Sequence, residues 1–316
     1  MSDTTDRYPE HDALVELIRA VRATGYQFVT PTPATHARVN QRPGNEWARN
    51  LRDVLGWSRP FHSKVVPPAI FGLMQQAKVV SPCEDGWRCT IRISSAHGQL
   101  YVHSAYPTET ADAVFFGPDS YRYIDAVRDL LSRRSNVSRA FDIGCGAGPG
   151  ALTVALARPT AEVWACDINP VAVQMAYANA TAAGAKNLTC ATAGMLSGAS
   201  GRFDVITANP PYLNDSLGRA YRHGGGRFGE QLALTMLNQG IDRLADGGSM
   251  LLYTGTAIVD GQDLLLEDVK KLLNRKNREI KWKYRETDPD VFGEELDEPA
   301  YQDVERIAIV HVEVTT

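Results

Sequence analysis

The run Asp142-Ile143-Gly144-Cys145-Gly146-Ala147-Gly148-Pro149-Gly150 sets glycine at every second position between an apolar segment and a helix-forming one. Before it, Ala140-Phe141-Asp142-Ile143 reads as the end of a short buried strand. After it, Ala151-Leu152-Thr153-Val154-Ala155-Leu156-Ala157 reads as the first turns of a helix. Glycine lets a backbone come close to a ligand, and a helix start offers unpaired N–H groups. A strand, a glycine-rich turn and a helix therefore form a cradle for a nucleotide-like molecule.

The spacing is Gly-x-Gly-x-Gly, whereas a pyrophosphate is suited by Gly-x-Gly-x-x-Gly. Working outward, Ala161-Glu162-Val163-Trp164-Ala165-Cys166 looks like a second strand, and Asp167 ends it, 25 residues after Asp142. A carboxylate at that distance accepts hydrogen bonds from ribose hydroxyls. Asp142, at the end of the first strand, adds a second carboxylate suited to an ammonium group. A ribose and a cation without a phosphate fit S-adenosylmethionine better than NAD.

These residues resemble a known family. Asp142, Gly144, Gly146 and Gly148 followed by Asp167 look like the cofactor site of class I S-adenosylmethionine-dependent methyltransferases. Asn209-Pro210-Pro211-Tyr212 resembles the signature of members that methylate a planar nitrogen. Phe115-Phe116-Gly117-Pro118-Asp119-Ser120-Tyr121 resembles the Pro-Asp-Thr segment that precedes the cofactor domain in release-factor glutamine methyltransferases. That segment has Arg where this chain has Gly117 and Glu where it has Tyr121. The resemblance covers roughly residues 111 to 316. It implies a Rossmann-like sheet of seven strands with the last inserted antiparallel, and a cofactor held by Asp142, Gly144, Gly146, Gly148, Asp167, Ile168 and Met195. The family usually has an Asp after the third strand; here Gly194-Met195 stands there, so Met195 is expected to face the adenine. Tyr221 to Gly229 resembles the family's Gly-Gly-x-Asp-Gly segment with Phe228 at the Asp place, and reads either as a lid or as a solvated loop.

The chemistry of the second motif can be argued from its atoms. An amide or aromatic amino nitrogen is a poor nucleophile because its lone pair is delocalised. The Asn209 side-chain oxygen and the Pro210 carbonyl can each accept an N–H from the acceptor's NH₂ group. Such bonds hold the pair in line and strengthen as positive charge develops in the transition state. Consecutive prolines keep the turn rigid, and Tyr212 is expected to stack on the planar group. Asn209, Pro210 and Tyr212 are thus the candidate catalytic residues, with no general base required before transfer.

Composition bounds the alternatives. The 316 residues allow one large or two modest domains, 44% of them are hydrophobic, and the net charge is −4. An acidic balance speaks against a general nucleic-acid coat. No apolar run is long enough to span a bilayer, and Met1-Ser2-Asp3-Thr4-Thr5-Asp6 lacks the features of a secretory signal. Five cysteines without a Cys-x-x-Cys pair suggest free thiols in a cytoplasmic protein. The seven histidines have no metal-like spacing, so no metal is expected.

Along the chain, Leu14, Leu17, Ile18 and Val21 predict a helix over 11–23, and residues 30–43 read as irregular. Helices are expected over 46–55 and from Pro67-Pro68 to about 79. Alternation in 88–93 and 99–104 around Ser95-Ala96-His97-Gly98 predicts one hairpin. Residues 1–110 would then form a small helical, winged-helix-like domain, serving substrate recognition or as a cap, and 111–316 the methyltransferase domain. A helix over 120–133 precedes an α/β alternation: helix 169–183, strand 188–191, strand 203–208, helix 230–244, strand 249–253, helix 262–274 and strands 280–285 and 306–314. The leading reading is an N-methyltransferase acting on a planar amide or amino nitrogen, with a protein glutamine side chain as the first candidate. A base amino group in RNA or DNA, a small planar metabolite, and a silent cofactor-binding module stay open at this point.

Overall fold

The computed structural model describes residues 10–215, 219 and 221–316. The amino-terminal Met1–Asp6 stretch lies outside them. The chain starts with α1 (His11–Ala23), whose Leu14, Leu17, Ile18 and Val21 are buried as the helical spacing requires. Residues 30–43 are not irregular throughout, because α2 (Pro33–Asn40) forms there. Thr32 caps it by accepting from the Thr35 N–H, and proline opens the first turn, where no N–H is needed. The expected helix over 46–55 shrinks to α3 (Leu51–Leu55), capped by Asn50. α4 (Pro68–Gln76) follows.

Two hairpins replace the single one expected. β1 (Val80–Cys83) pairs with β2 (Gly86–Cys89), and β3 (Ile91–Ala96) pairs with β4 (Gln99–Ser104). The alternation read across 88–93 is broken at Thr90, whose N–H goes to Val79 and not into a continuing ladder. The second turn falls on His97-Gly98, both with positive φ, the geometry that joins two-residue hairpins.

The rest follows the α/β alternation. α5 (Pro118–Ser132) leads into β5 (Arg139–Ile143), α6 (Pro149–Ala157), β6 (Glu162–Asp167), α7 (Pro170–Ala183), β7 (Leu188–Thr192) and β8 (Phe203–Ala208). Then come α8 (Gln231–Asp242), β9 (Leu244–Val259), the two-residue β10 (Gln262–Asp263), α9 (Leu264–Asn274), β11 (Lys281–Asp288) and β12 (Arg306–Thr315). The sheet order is β11-β12-β9-β8-β5-β6-β7, with β10 beside β9. β5 to β9 run parallel, and β12 is inserted antiparallel between β9 and β11, as the family resemblance implied.

β9 is much longer than the expected strand. Asp246-Gly247-Gly248 reads as a turn, but the ladder absorbs it through a register shift between Phe203 and Val205. Ala208 pairs with Leu252, so Tyr253 to Val259 project past the end of β8, and Tyr253 to Ile258 are held by β12. That overhang becomes a wall of the site.

One apolar core joins α5, α6 and α7 to the amino-terminal elements, and a second packs α8 and α9 on the opposite face. β4 and α1 both lie against α7. Asn179 of α7 is fully buried there. Its amide accepts from Val102 N–H at 2.8 Å, donates to Val102 carbonyl at 3.1 Å, and donates to the Ala147 carbonyl at 2.9 Å. One side chain thereby ties the β3–β4 hairpin to the glycine-rich turn. Among the described residues, no helix is long and apolar enough to cross a membrane.

Candidate active site

Gly144, Gly146 and Gly148 all adopt positive φ (68°, 53° and 83°), a conformation that other residues reach only with strain. Gly146 is the informative one, because nothing lies within 4 Å of where its Cβ would be. The space above it is open for close approach. Gly150 is required for the opposite reason. A Cβ there would stand 2.6 Å from the Tyr123 hydroxyl and 2.7 and 2.8 Å from the Asp142 carboxylate oxygens.

Asp167 ends β6 with its carboxylate turned to this turn. One oxygen accepts from Gly146 N–H and the other from Asn169 N–H, both at 2.9 Å. Each oxygen keeps a lone pair for an outside donor. Burial raises its pKa, while those N–H groups and that of Ile168 pull the other way. Ile168 beside it is 68% exposed, an apolar side chain displayed at the carboxyl end of the sheet. Met195, also at positive φ, is half-buried after β7, next to Gly194, whose Cβ position lies 3.8 Å from Ile168. The open turn, the carboxylate with free lone pairs and the exposed Ile168 fit an adenosyl group.

The expectation for Asp142 needs correction. Its carboxylate does not face the cavity; it is 1% exposed and spent on internal donors. One oxygen accepts from Tyr123 Oη at 2.6 Å and Thr207 Oγ1 at 2.8 Å, and the other from Ala151 N–H at 2.8 Å. Asp142 thus caps the first turn of α6 and joins β5 to β8, where Thr207 is its register partner. Burial pushes it up to about 6, against the pull of those three donors. It shapes the turn and is not placed to receive an ammonium group directly.

Asn209 and Pro210 follow directly on β8, at the carboxyl edge of the sheet. Asn209 is half-buried, and its side-chain amide has no hydrogen-bond partner among the described residues; neither has the Pro210 carbonyl. Two acceptors are therefore left unsatisfied at one corner, an arrangement that suits an incoming NH₂ group.

Tyr212 also departs from expectation. It is 8% exposed, so its ring is not offered to an acceptor. The ring covers Gly255 of the β9 overhang, where a Cβ would meet it at 2.3 Å, and meets Phe292 edge-on at 6.0 Å. Its hydroxyl donates to Asp119 at 2.7 Å. Asp119, in the first turn of α5, is buried and also accepts from Tyr253 at 2.9 Å and from Arg122 at 3.3 Å. Burial raises the Asp119 pKa, and the three donors oppose that. The Gly117-Pro118-Asp119 segment and the Asn-Pro-Pro-Tyr turn, some 90 residues apart, are thus one bonded unit. Sequence reasoning read the first as a junction and missed Asp119, Tyr123, Thr207, Tyr253 and Gly255. Only Asp119 carried a signal, a carboxylate at a helix start in a segment already singled out.

The segment from Tyr221 to Gly229 is bound down. Tyr221 donates to the Thr108 carbonyl at 2.7 Å, Arg222 pairs with Glu295, and Arg227 pairs with Asp303 at 3.0 Å. Phe228 is buried 6.1 Å from the Tyr301 ring, and the Tyr301 hydroxyl accepts from Asn214 N–H at 2.7 Å. It is therefore neither a solvated loop nor, with Phe228 facing Tyr301, a carrier of the family's carboxylate. Residues 216–218 and 220, beside it, lie outside the described ones.

A sequence model described as methyltransferase small domain matches residues 119–279, which is 161 of the 316 positions and just over half of the chain. The chain belongs to this family. The match begins on Asp119 and takes in both motifs. The release factor glutamine methyltransferase of Neisseria gonorrhoeae is 35% identical over 153 residues, 44% of this chain and 54% of that protein. The ribosomal protein uL3 glutamine methyltransferase of Bordetella pertussis is 33% identical over 141 residues, 41% of this chain and 46% of its own length. The chain thus spans about half the length of these curated relatives. Among solved structures, Trm5b from Pyrococcus abyssi resembles it with a TM-score of 0.51 at 17% identity, over 78% of this chain and 67% of that one. That likeness speaks for the Rossmann-like fold alone.

Proposed function

We propose that this chain is an S-adenosylmethionine-dependent N-methyltransferase whose acceptor is a glutamine side-chain amide of a protein. The observation that carries the reading is the Asn209–Pro210 corner, with its free acceptors just past the end of β8; Ala208 pairs with Ile143, so the open glycine turn lies just past the end of the adjacent strand β5. When bound, S-adenosylmethionine supplies a methyl group on a cationic sulfur. Gly146 and its neighbours leave room for it, Asp167 would accept from the ribose, and Ile168 with Met195 would flank the adenine. Asn209 Oδ1 and the Pro210 carbonyl would each accept one N–H of the acceptor amide, raising the nitrogen's electron density and holding it in line. Asp119, through Tyr212, keeps that corner still.

Charge around the corner favours a protein over a nucleic acid. Residues 288–305 hold eight carboxylates and no Lys or Arg. The segment borders the corner through Phe292 against Tyr212 and the Tyr301 hydroxyl bonded to Asn214, and among the described residues only Asp288, Glu295 and Asp303 are paired to arginines there. A polyanion would be repelled by the rest, whereas a basic protein segment would be drawn in. The names of the two glutamine methyltransferase relatives agree with this acceptor. Residues 1–110 would act as the acceptor-recognising layer, with Thr108 touching the Tyr221 segment. The free cysteines fit a reducing cytoplasm.

The test is transfer of radiolabelled methyl into a cell extract separated into protein, nucleic acid and small molecules. Label is expected in protein and, after enzymatic digestion, in N5-methylglutamine; label confined to nucleic acid or metabolites would refute the acceptor. Asn209→Ala should abolish turnover with cofactor affinity within a few-fold by calorimetry. Surviving turnover would remove the amide from the mechanism.

A further inference from the structure

Away from the cofactor cradle, the β3–β4 hairpin places Arg92 directly opposite His103, with Ser94 on the same face. Arg92 is 3% exposed, yet its one hydrogen bond runs from Nε to the Ser104 carbonyl at 3.1 Å. No carboxylate among the described residues pairs with it. The Tyr26 and Tyr121 hydroxyls that its charge reaches are held protonated by burial, and burial pulls the guanidinium down to about 10 without neutralising it. Both neighbouring imidazoles are neutral as well: burial, reinforced by the Arg92 charge, takes His36 to about 4 and His103 well below its ordinary value. The Nδ1 atoms of both are buried without a partner. The cluster is otherwise rigid. His103 Nε2 meets Ser94 Oγ at 2.7 Å, Ser94 Oγ meets Thr30 Oγ1, and the Tyr121 hydroxyl accepts from Thr30 N–H at 2.9 Å.

A lone cation in a protein interior is among the most unfavourable placements, and buried polar atoms without partners are rare. Here the unpaired cation lies opposite His103 on the hairpin, and its charge also reaches His36. Water would satisfy the imidazoles but would leave the charge uncompensated. Tyr121 stands where the resembling family segment has Glu, so the position from which a carboxylate would answer Arg92 offers only a hydroxyl. Tyr106 and Tyr121 are half-buried.

We propose that this cluster binds a small oxyanion, a carboxylate or phosphate group, gripped by the Arg92 guanidinium fork with His103 and Tyr121 as supporting donors. The guanidinium suits two oxygens at once. Tyr121 is two residues from Asp119, so the anion would brace the segment that holds Tyr212. The proposal is independent of the methyl acceptor's identity.

The experiment is thermal unfolding and calorimetry of the full chain with sodium phosphate or sodium acetate, against sodium chloride at matched ionic strength. One of the two anions in excess should raise the Tm by about 3 °C or more over chloride; which one does so separates phosphate from carboxylate. Arg92→Met should lose that response and be at least as stable as the parent without anion, because the lone charge is gone. Tyr121→Glu, which supplies an internal carboxylate, should stay folded and also lose the response, so the test does not hang on one variant. No anion-specific rise in the parent, or an undiminished rise in either variant, would overturn the proposal.

Discussion

Replacing Tyr212 with Phe removes one oxygen and keeps the ring, which separates the two roles this residue could have. If the ring stacked on the acceptor, the variant would be silent. In the structure the ring is buried over Gly255 and the hydroxyl donates to Asp119 at 2.7 Å. A hydrogen bond to a buried carboxylate contributes about 1.5–3 kcal/mol. Tyr253 and Arg122 still serve Asp119 in the variant, so about 2 kcal/mol is expected. For a chain of 316 residues that corresponds to a Tm lower by roughly 3 °C. The turn carrying Asn209 would lose its tether, and a misplacement on the order of 1 Å costs about 100-fold in rate. A fall in kcat of about 10- to 100-fold is expected, with KM for the cofactor little changed. The assay pairs urea denaturation with initial rates, for Tyr212→Phe, Asp119→Asn and the double variant. The two single changes should be non-additive by about 1 kcal/mol or more. Unchanged stability with kcat within two-fold of the parent would refute the tether and restore stacking.

Asp167→Ala should weaken cofactor binding by about 1.5–3 kcal/mol, the loss of hydrogen bonds to a charged group; an unchanged dissociation constant by calorimetry would remove Asp167 from the site. Gly150→Ala puts a Cβ 2.6 Å from Tyr123 Oη and should cost roughly 1–3 kcal/mol by denaturant unfolding, since the atoms it meets are themselves fixed. Asp142 predicts a pH dependence. Its folded pKa, about 6, lies above the ordinary 3.8, so the folded chain binds the proton more tightly than the unfolded one. Its contribution is therefore fully present below about 4, is lost as pH rises through about 6, and is level above that. Relative to Asp142→Asn, the parent should lose roughly 3 kcal/mol over that window; a stability difference independent of pH would refute the burial argument.

Local rules were enough for the parts of this protein governed by neighbours in sequence. Helical spacing set α1 to the residue, and alternating strand and helix signals, read together with the glycine turn, placed β5 to β8. Asn169 and Pro170 mark the start of α7, where Asn169 accepts from the Val171 N–H. The places of Asp167 and Asn209 at the carboxyl edge of the sheet were readable because each marks the end of an apolar strand. Where a turn signal was overridden by long-range pairing, reading failed. Asp246-Gly247-Gly248 was drawn into β9 because β8 pairs on either side of it, with Leu244 and Ser249, and Thr316 exchanges backbone bonds with Gly247 and Gly248; Thr90 split one apparent strand into two because its N–H found Val79.

The direction in which a side chain points was beyond the sequence for a different reason. Asp142 and Tyr212 belong to motifs, and the motif alone suggests that each touches a ligand. Only the packing of α5 against β5 and β9 brings Tyr123 to Asp142 and Asp119 to Tyr212, and a buried carboxylate must take the donors nearest to it. By itself, then, the sequence determined the α/β order, the place of the glycine turn and that of the Asn209–Pro210 corner after β8. The tertiary structure decided which acidic and aromatic residues face the ligands and which hold the frame, because that choice depends on partners some 20 to 130 residues away.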